Sequence, residues 1–266
     1  MPESLSMAGF RLVYDTAGAG DPPMIFVHGW CCDRSYFAPQ FGHFAASHAV
    51  AALDLRGHGD SGSPTTRPGG YDMDVMADDV LAVTAAAGFG RPVLVGHSLG
   101  ALIGLVCAAR AGAICALVMV DPAPITNERA KEFFRESAGA VAADDDGSWR
   151  AKFVEGMFLP TDVARRAAII GQMPRTPPGI SAEVMRVMGE FDGAGALAAA
   201  TVPVVSIGSA RPANRSADLC RLCPAITIGQ TVGSGHFNML EVPGQVNAMI
   251  ERFLAINGLS GTPAVP

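Results

Sequence analysis

The run Val93-Leu94-Val95-Gly96-His97-Ser98-Leu99-Gly100 sets a serine between two glycines, each two residues away. Branched apolar residues precede it, as in a strand, and an apolar helical stretch follows. A serine on a sharp strand-to-helix turn adopts a strained backbone, and bulky neighbours two positions off would collide, so glycine is needed on both sides. The turn leaves Ser98 Oγ exposed at a helix N-terminus, whose dipole favours developing negative charge. This arrangement suits nucleophilic attack on a carbonyl, provided a base lies beside the hydroxyl. Six histidines are available. His97 adjoins Ser98, so its side chain is expected to point away across the turn. His43 and His48 belong to an early helix and are expected at the surface. His236, within Gly233-Ser234-Gly235-His236 after the last apolar run, sits on a loop flexible enough to carry an imidazole to Ser98.

The elements that must position these groups follow an α/β rhythm. Phe10–Thr16 alternates like an exposed first strand. Met24–Val27, Ala49–Leu53, Val93–Val95, Ala116–Val120, Val202–Ile207 and Ala225–Gly229 are short, unbroken apolar runs. Such runs suit strands of a parallel sheet buried on both faces by helices. Met73, Met76, Val80, Val83 and Ala87 mark one helix face, and Val246, Ile250, Phe253 and Leu254 mark another. The rhythm stops after Asp121. Four helical stretches follow, near Asn127–Ala142, Ser148–Phe158, Thr161–Met173 and Ser181–Phe191, separated by prolines. The expected organisation is an α/β core, residues 1–123 and 196–266, interrupted by a helical cap or lid over 124–195. The tail from Gly258 to Pro266 is expected to be loose.

Composition removes several classes. Hydrophobic residues make up 49% and charged residues 17% of the 266, which excludes disorder. Nineteen Lys+Arg against 25 Asp+Glu give a net charge of −6 with no basic tract, so nucleic acid is not an expected partner. Leu99–Val120 carries Arg110 as its one charge and is long enough to span a bilayer. Gly100, Gly104 and Gly112 punctuate it, and it reads as a buried helix followed by a buried strand, with no membrane role. The first ten residues lack a charged and an apolar region, so no secretory signal is expected. The six cysteines, including a lone Cys220-Arg-Leu-Cys223, read as reduced thiols of a cytoplasmic protein, without a metal.

With Ser98 in its turn, the chain resembles the α/β-hydrolase superfamily over nearly its whole length. His28-Gly29-Trp30 looks like the family's oxyanion-hole loop. Asp54-Leu55-Arg56-Gly57-His58-Gly59-Asp60-Ser61 looks like its D-x-R-G-x-G-x-S turn. Val120-Asp121-Pro122 and Gly235-His236-Phe237 fall where later family elements are expected. The resemblance implies an α/β-hydrolase fold with a mostly parallel sheet. It also implies a Ser98–His236–acid triad and an oxyanion hole made by the backbone N–H groups of Trp30 and Leu99, with no cofactor. His28 would hold the loop backbone, and His58 lies where the family tolerates many residues. Most relatives carry the acid after the strand read here as Val202–Ile207, but no carboxylate lies between Gly193 and Ala217. Asp121, at the end of the preceding strand, is the favoured acid and preserves Ser–acid–His order; Asp218, on a later helix, is the alternative. Glu241 is expected to cap the segment immediately after it.

The segment from Pro124 to Ala194 holds 9 Lys+Arg and 11 Asp+Glu, a balance of −2, which gives no basic funnel for a polyanion. Its phenylalanines and methionines suit a mostly apolar pocket, with His28, Cys31, Phe134, Phe158 and Phe237 as candidate lining residues beside Trp30. The same apolar bulk suits a homodimer contact, and for any single one of these residues simple packing onto the core is the stronger explanation. The leading reading is a hydrolase of a small carboxylic ester or lactone. Carbon–carbon bond hydrolysis and cofactor-free perhydrolysis use the same triad, and a ligand receptor with weak hydrolase activity is the reading outside catalysis. A serine at the turn argues against dehalogenation and epoxide opening, which usually need a carboxylate nucleophile.

Overall fold

The computed structural model describes residues 2–7, 9–64, 70–162 and 165–263. Eight strands form one sheet: β1 (Glu3–Met7), β2 (Phe10–Ala17), β4 (Met24–Val27), β5 (Val50–Leu53), β6 (Val93–His97), β7 (Ala116–Val120), β8 (Val204–Gly208) and β9 (Thr227–Gln230). Their spatial order is β1-β2-β5-β4-β6-β7-β8-β9. β1 and β2 pair antiparallel, β2 joins β5 antiparallel, and the other neighbours run parallel. The exposed first strand expected at Phe10–Thr16 is therefore second from the edge, covered by β1. A short β3 (Gly20–Asp21) pairs with β10 (Thr262–Pro263), which ties down part of the tail expected to be loose. Residues 264–266 of that tail lie outside the described residues.

Every residue of β4, β5, β6, β7 and β8 is buried, because helices cover both faces. Flanking the sheet are α1 (Ala38–Phe44), α2 (Met73–Ala86), α3 (Leu99–Ala109), α9 (Ser216–Leu222), α10 (Asn238–Glu241) and α11 (Pro243–Ile256). The apolar spacings fall on the inner faces: Met73, Met76, Val80 and Val83 of α2 are buried, as are Val246, Ile250, Phe253 and Leu254 of α11. The apolar stretch Leu99–Val120 divides into α3 and β7. Among the described residues no helix is long and apolar enough to cross a membrane.

Between β7 and β8 run α4 (Glu128–Ala142), α5 (Ser148–Glu155), α6 (Arg166–Gln172), α7 (Pro178–Glu190) and α8 (Gly193–Ala198), with no strand among the described residues. Residues 163 and 164, inside the stretch expected as the third helix, lie outside the described residues. α4 and α7 approach closely at Gly189, where a Cβ would press on Lys131 O and Arg135 Cγ. Arg150 of α5 is fully buried. It donates to Asp144 Oδ2 (2.7 Å) and Asp144 O (2.8 Å), and to Thr176 O (2.5 Å), Met173 O (3.2 Å) and Ser181 Oγ (3.3 Å). A buried guanidinium is tolerated only when paired and hydrogen-bonded in this way.

The Asp54–Ser61 turn serves structure. Asp54 accepts from the N–H groups of Arg34 and Asp60, both at 2.8 Å, and ion-pairs with the Arg34 guanidinium. Gly59 packs on that carboxylate with φ +54°, where any side chain would collide. Arg56 makes a two-pronged bond to Asp79 (2.6 and 2.7 Å), and Ser61 Oγ accepts from Val13 N while donating to Asp54 O.

Parallel register brings the C-terminal ends of the strands to one edge, since Val27 aligns with Gly96, His97 with Val120 and Val120 with Ile207. In open α/β sheets that edge is where ligands bind. The turn that carries Ser98 depends on close approach. A Cβ at Gly100 would overlap Val27 O and His28 O, and one at Gly96 would overlap Gly100 O. At Gly104, one turn on, the neighbours are the movable tips of Leu117 (2.5 Å) and Leu94 (2.9 Å). Gly100→Ala is expected to cost about 3 kcal/mol or more because backbone cannot yield, whereas Gly104→Ala should cost about 1 kcal/mol. Urea unfolding of the two variants checks the contrast.

Candidate active site

Ser98 bridges β6 and α3 with φ 51° and ψ −110°, outside the regions that non-glycine residues favour. Among the described residues three non-glycines have positive φ: Cys31 (54°), Ser98 (51°) and Asp121 (37°). Each lies just beyond the C-terminal end of a parallel strand, where strain of this kind commonly accompanies function. Ser98 N donates to Val120 O (3.2 Å), and Ser98 O accepts from Ala123 N (3.3 Å), so the turn is fixed to the chain on either side of Asp121.

Asp121 is almost fully buried. Its N–H continues the β7–β8 ladder by donating to Ile207 O (2.9 Å). Its Oδ1 accepts from Ser209 N (2.8 Å), and its Oδ2 meets His236 Nδ1 at 2.6 Å. A carboxylate at Nδ1 fixes the imidazole's orientation and holds the proton on that nitrogen, leaving Nε2 as the basic one. Asp218, the alternative acid, instead ion-pairs with Arg221 on α9.

The loop carrying His236 is gripped from several sides. His236 N donates to Met157 O (3.1 Å), beyond α5. Glu241 of α10 accepts from Gly235 N (2.6 Å) and Phe237 N (3.1 Å), bracketing His236. Glu241 thus reaches back to the histidine loop rather than capping the segment after it. His97 also departs from expectation. Its ring lies 4.6 Å from that of His236, and its Nε2 is 3.0 Å from His236 O. Burial and the neighbouring His236 hold the His97 imidazole well below its usual range, so it is neutral and donates from Nε2 to that carbonyl. Its side chain turns toward the His236 loop, with Nδ1 packed against Gly29. His48 is buried, its Nδ1 on Pro22 O (2.7 Å), while His43 is exposed beside Glu251.

Ser98, Asp121 and His236 share the wall of a cavity of about 300 Å³ with Phe134, Phe158 and Arg211. A smaller chamber of about 30 Å³ continues inward past Trp30, Cys32 and Phe237. Two residues expected in the lining are absent from it. His28 is fully buried, donating from Nδ1 to Gly29 O (2.8 Å) and accepting at Nε2 from Leu55 N (3.0 Å), so it pins the loop to the Asp54 turn. Burial lowers its pKa to about 4. Cys31 turns away to donate to Ser181 Oγ (3.2 Å), and burial pushes its thiol up to about 12; Cys32 faces the chamber instead. Trp30 is held by Nε1 donating to Ser181 O (2.8 Å) and by edge contact with Phe153. Sequence reasoning missed Ser209 and Arg211, a backbone N–H and a loop position that carry no motif, and took Met157 only as apolar bulk although its backbone carbonyl holds His236 N.

Fold and site together define a class. The Alpha/beta hydrolase family matches residues 24–249, and the chain belongs to that family. A 2-(acetamidomethylene)succinate hydrolase of Mesorhizobium japonicum is 31% identical over 162 residues, 59% of this chain and 56% of the relative. A non-heme chloroperoxidase of Streptomyces lividans is 35% identical over 120 residues, 44% of this chain and 42% of the relative. The matched stretches thus span about half the length of these relatives. Among solved structures, the enol-lactonase from Burkholderia xenovorans superposes with a TM-score of 0.82 at 22% identity, covering 95% of this chain and all of that one. Likeness at that identity establishes the fold alone.

Burial, together with the neighbouring Asp162 carboxyl, raises the Glu241 carboxyl from 4.5 to about 7. A carboxyl favoured in its neutral form contributes stability that is full below pH 4.5 and is lost as pH rises through about 7. Asp162→Asn keeps an acceptor for Leu159 N and removes the competing acid. Thermal melts should find the variant about 2–4 °C more stable than wild type at pH 8, with the gap closing at pH 4.5.

Proposed function

We propose that Ser98, His236 and Asp121 act as a Ser–His–Asp triad that hydrolyses a small, largely apolar carboxylic ester or lactone. The observation that carries this reading is the 2.6 Å contact of His236 Nδ1 with Asp121 Oδ2, beside a strained Ser98 in one cavity wall. His236 Nε2 takes the Ser98 proton as Oγ attacks the carbonyl. The backbone N–H groups of Trp30 and Leu99 receive the negative charge that develops on the carbonyl oxygen. Among the described residues neither of these N–H groups has a hydrogen-bond partner, which leaves both free for that task. Such a donor is worth about 2.7–4 kcal/mol in the transition state. The protonated imidazole then returns its proton to the departing alkoxide. Water, deprotonated by the same nitrogen, releases the acid from Ser98.

The segment between β7 and β8 supplies Phe134, Phe153 and Phe158 to the cavity and acts as its cap, which supports an apolar acyl or alkoxy group there. Met157 O, through its bond to His236 N, links the cap to the base.

Fluorophosphonate labelling followed by peptide mass spectrometry is expected to mark Ser98 alone, and Ser98→Ala to abolish both labelling and turnover of 4-nitrophenyl esters. Turnover by Ser98→Ala at the wild-type rate would overturn the mechanism. Asp121→Asn should lower kcat by about 10³–10⁴-fold by losing the orienting carboxylate. Asp218→Asn should leave kcat unchanged, since that carboxylate faces Arg221.

A further inference from the structure

Resting on the hydrolase reading above, we propose that Arg211 is a specificity-determining residue that selects esters or lactones bearing a second group, a carboxylate, a short chain away from the reacting carbonyl. Arg211 is the one Lys or Arg among the residues that line the cavity, and it is exposed to solvent. Apart from Ser98, Ser209 and His236 the rest of the lining is apolar, and its one carboxylate, Asp121, is already engaged by His236 and Ser209. Among the described residues Arg211 makes no ion pair, so no carboxylate of the chain engages it.

Its loop is built to hold it there. Ser209 N is bound to Asp121 Oδ1, Ala210 N donates to Ser234 O (3.0 Å), and Arg211 N donates to Ser209 Oγ (3.3 Å). Pro212 comes next and packs over Gly208. Arg211 therefore sits on a segment hydrogen-bonded both to the Asp121 carboxylate and to the loop that carries His236. A neutral ester gains nothing from a cation at this place. A carboxylate gains a planar, two-pronged partner at the edge of an apolar cavity, where charge is less screened than in bulk water. The acid stays ionised throughout and no atoms are transferred to or from Arg211; it binds and orients.

The test compares mono-4-nitrophenyl glutarate with 4-nitrophenyl methyl glutarate, the same acyl chain with its far carboxylate free or methylated. Wild type is expected to prefer the free acid in kcat/KM by about tenfold, chiefly through KM, as a charge-assisted hydrogen bond allows. Added salt should erode the preference. Arg211→Gln should abolish it, Arg211→Lys should keep part of it, and Arg215→Gln, which lies off the cavity wall, should leave it intact. No preference in wild type, or a preference that survives Arg211→Gln, overturns the proposal. Should neither ester be turned over, the hydrolase reading fails, and calorimetric binding to Ser98→Ala decides on Arg211 separately. Tighter binding of monomethyl glutarate than of dimethyl glutarate, lost when Arg211→Gln is added, supports the assignment; equal affinities overturn it.

Discussion

Helix α3 lies so close to the end of strand β4 that a methyl group at Gly100 would overlap the carbonyls of Val27 and His28. That approach forces the chain to reverse between β6 and α3 within one residue, and the residue in the reversal is Ser98 at φ 51°. The strain is tolerated because the surroundings over-determine it: Val120 O and Ala123 N hold Ser98 on one side, and β4 holds α3 on the other. Asp121, itself at positive φ, then falls one residue past a strand in register with β6. Sheet register thus sets positions 98 and 121 against each other before any side chain is chosen.

His236 is held differently. It rides on a loop, and loops drift unless their backbone is bonded. Here the backbone on both sides of the histidine is bonded: Gly235 and Phe237 to Glu241, His236 N to Met157 O, and His236 O to His97 Nε2. One of those anchors comes from the helical segment between β7 and β8 and the others from the sheet side. The imidazole therefore sits at the seam between the two, and anything that shifts the helices relative to the sheet shifts it.

The parallel sheet, the amphipathic faces of α2 and α11 and the position of Ser98 are legible in the chain, because period, glycine spacing and strand length leave few other outcomes. Asp121 is also legible, through its place at a strand end. What pattern cannot supply is direction. His97 looks as if it should face away from its neighbour, yet the fold lays its ring against that of His236. His28 and Cys31 sit within three residues of Trp30, but alternate side chains of a tight loop face opposite ways, so one pins the Asp54 turn and the other meets Ser181. Arg211 and Ser209 belong to no repeating pattern, and only the folded loop brings them beside Asp121.

Ser181 has a mechanical meaning. Its carbonyl receives the Trp30 indole N–H, its hydroxyl receives the Cys31 thiol, and the same hydroxyl receives the buried Arg150 guanidinium. The start of α7 is therefore stitched to the loop beyond β4, and through Arg150 to the turn that begins α5. The helical segment between β7 and β8 is thus hydrogen-bonded to the sheet side at Ser181, whereas at the cavity wall Phe133 of α4 stands 43% exposed and meets Trp149 and Phe153 through stacked rings.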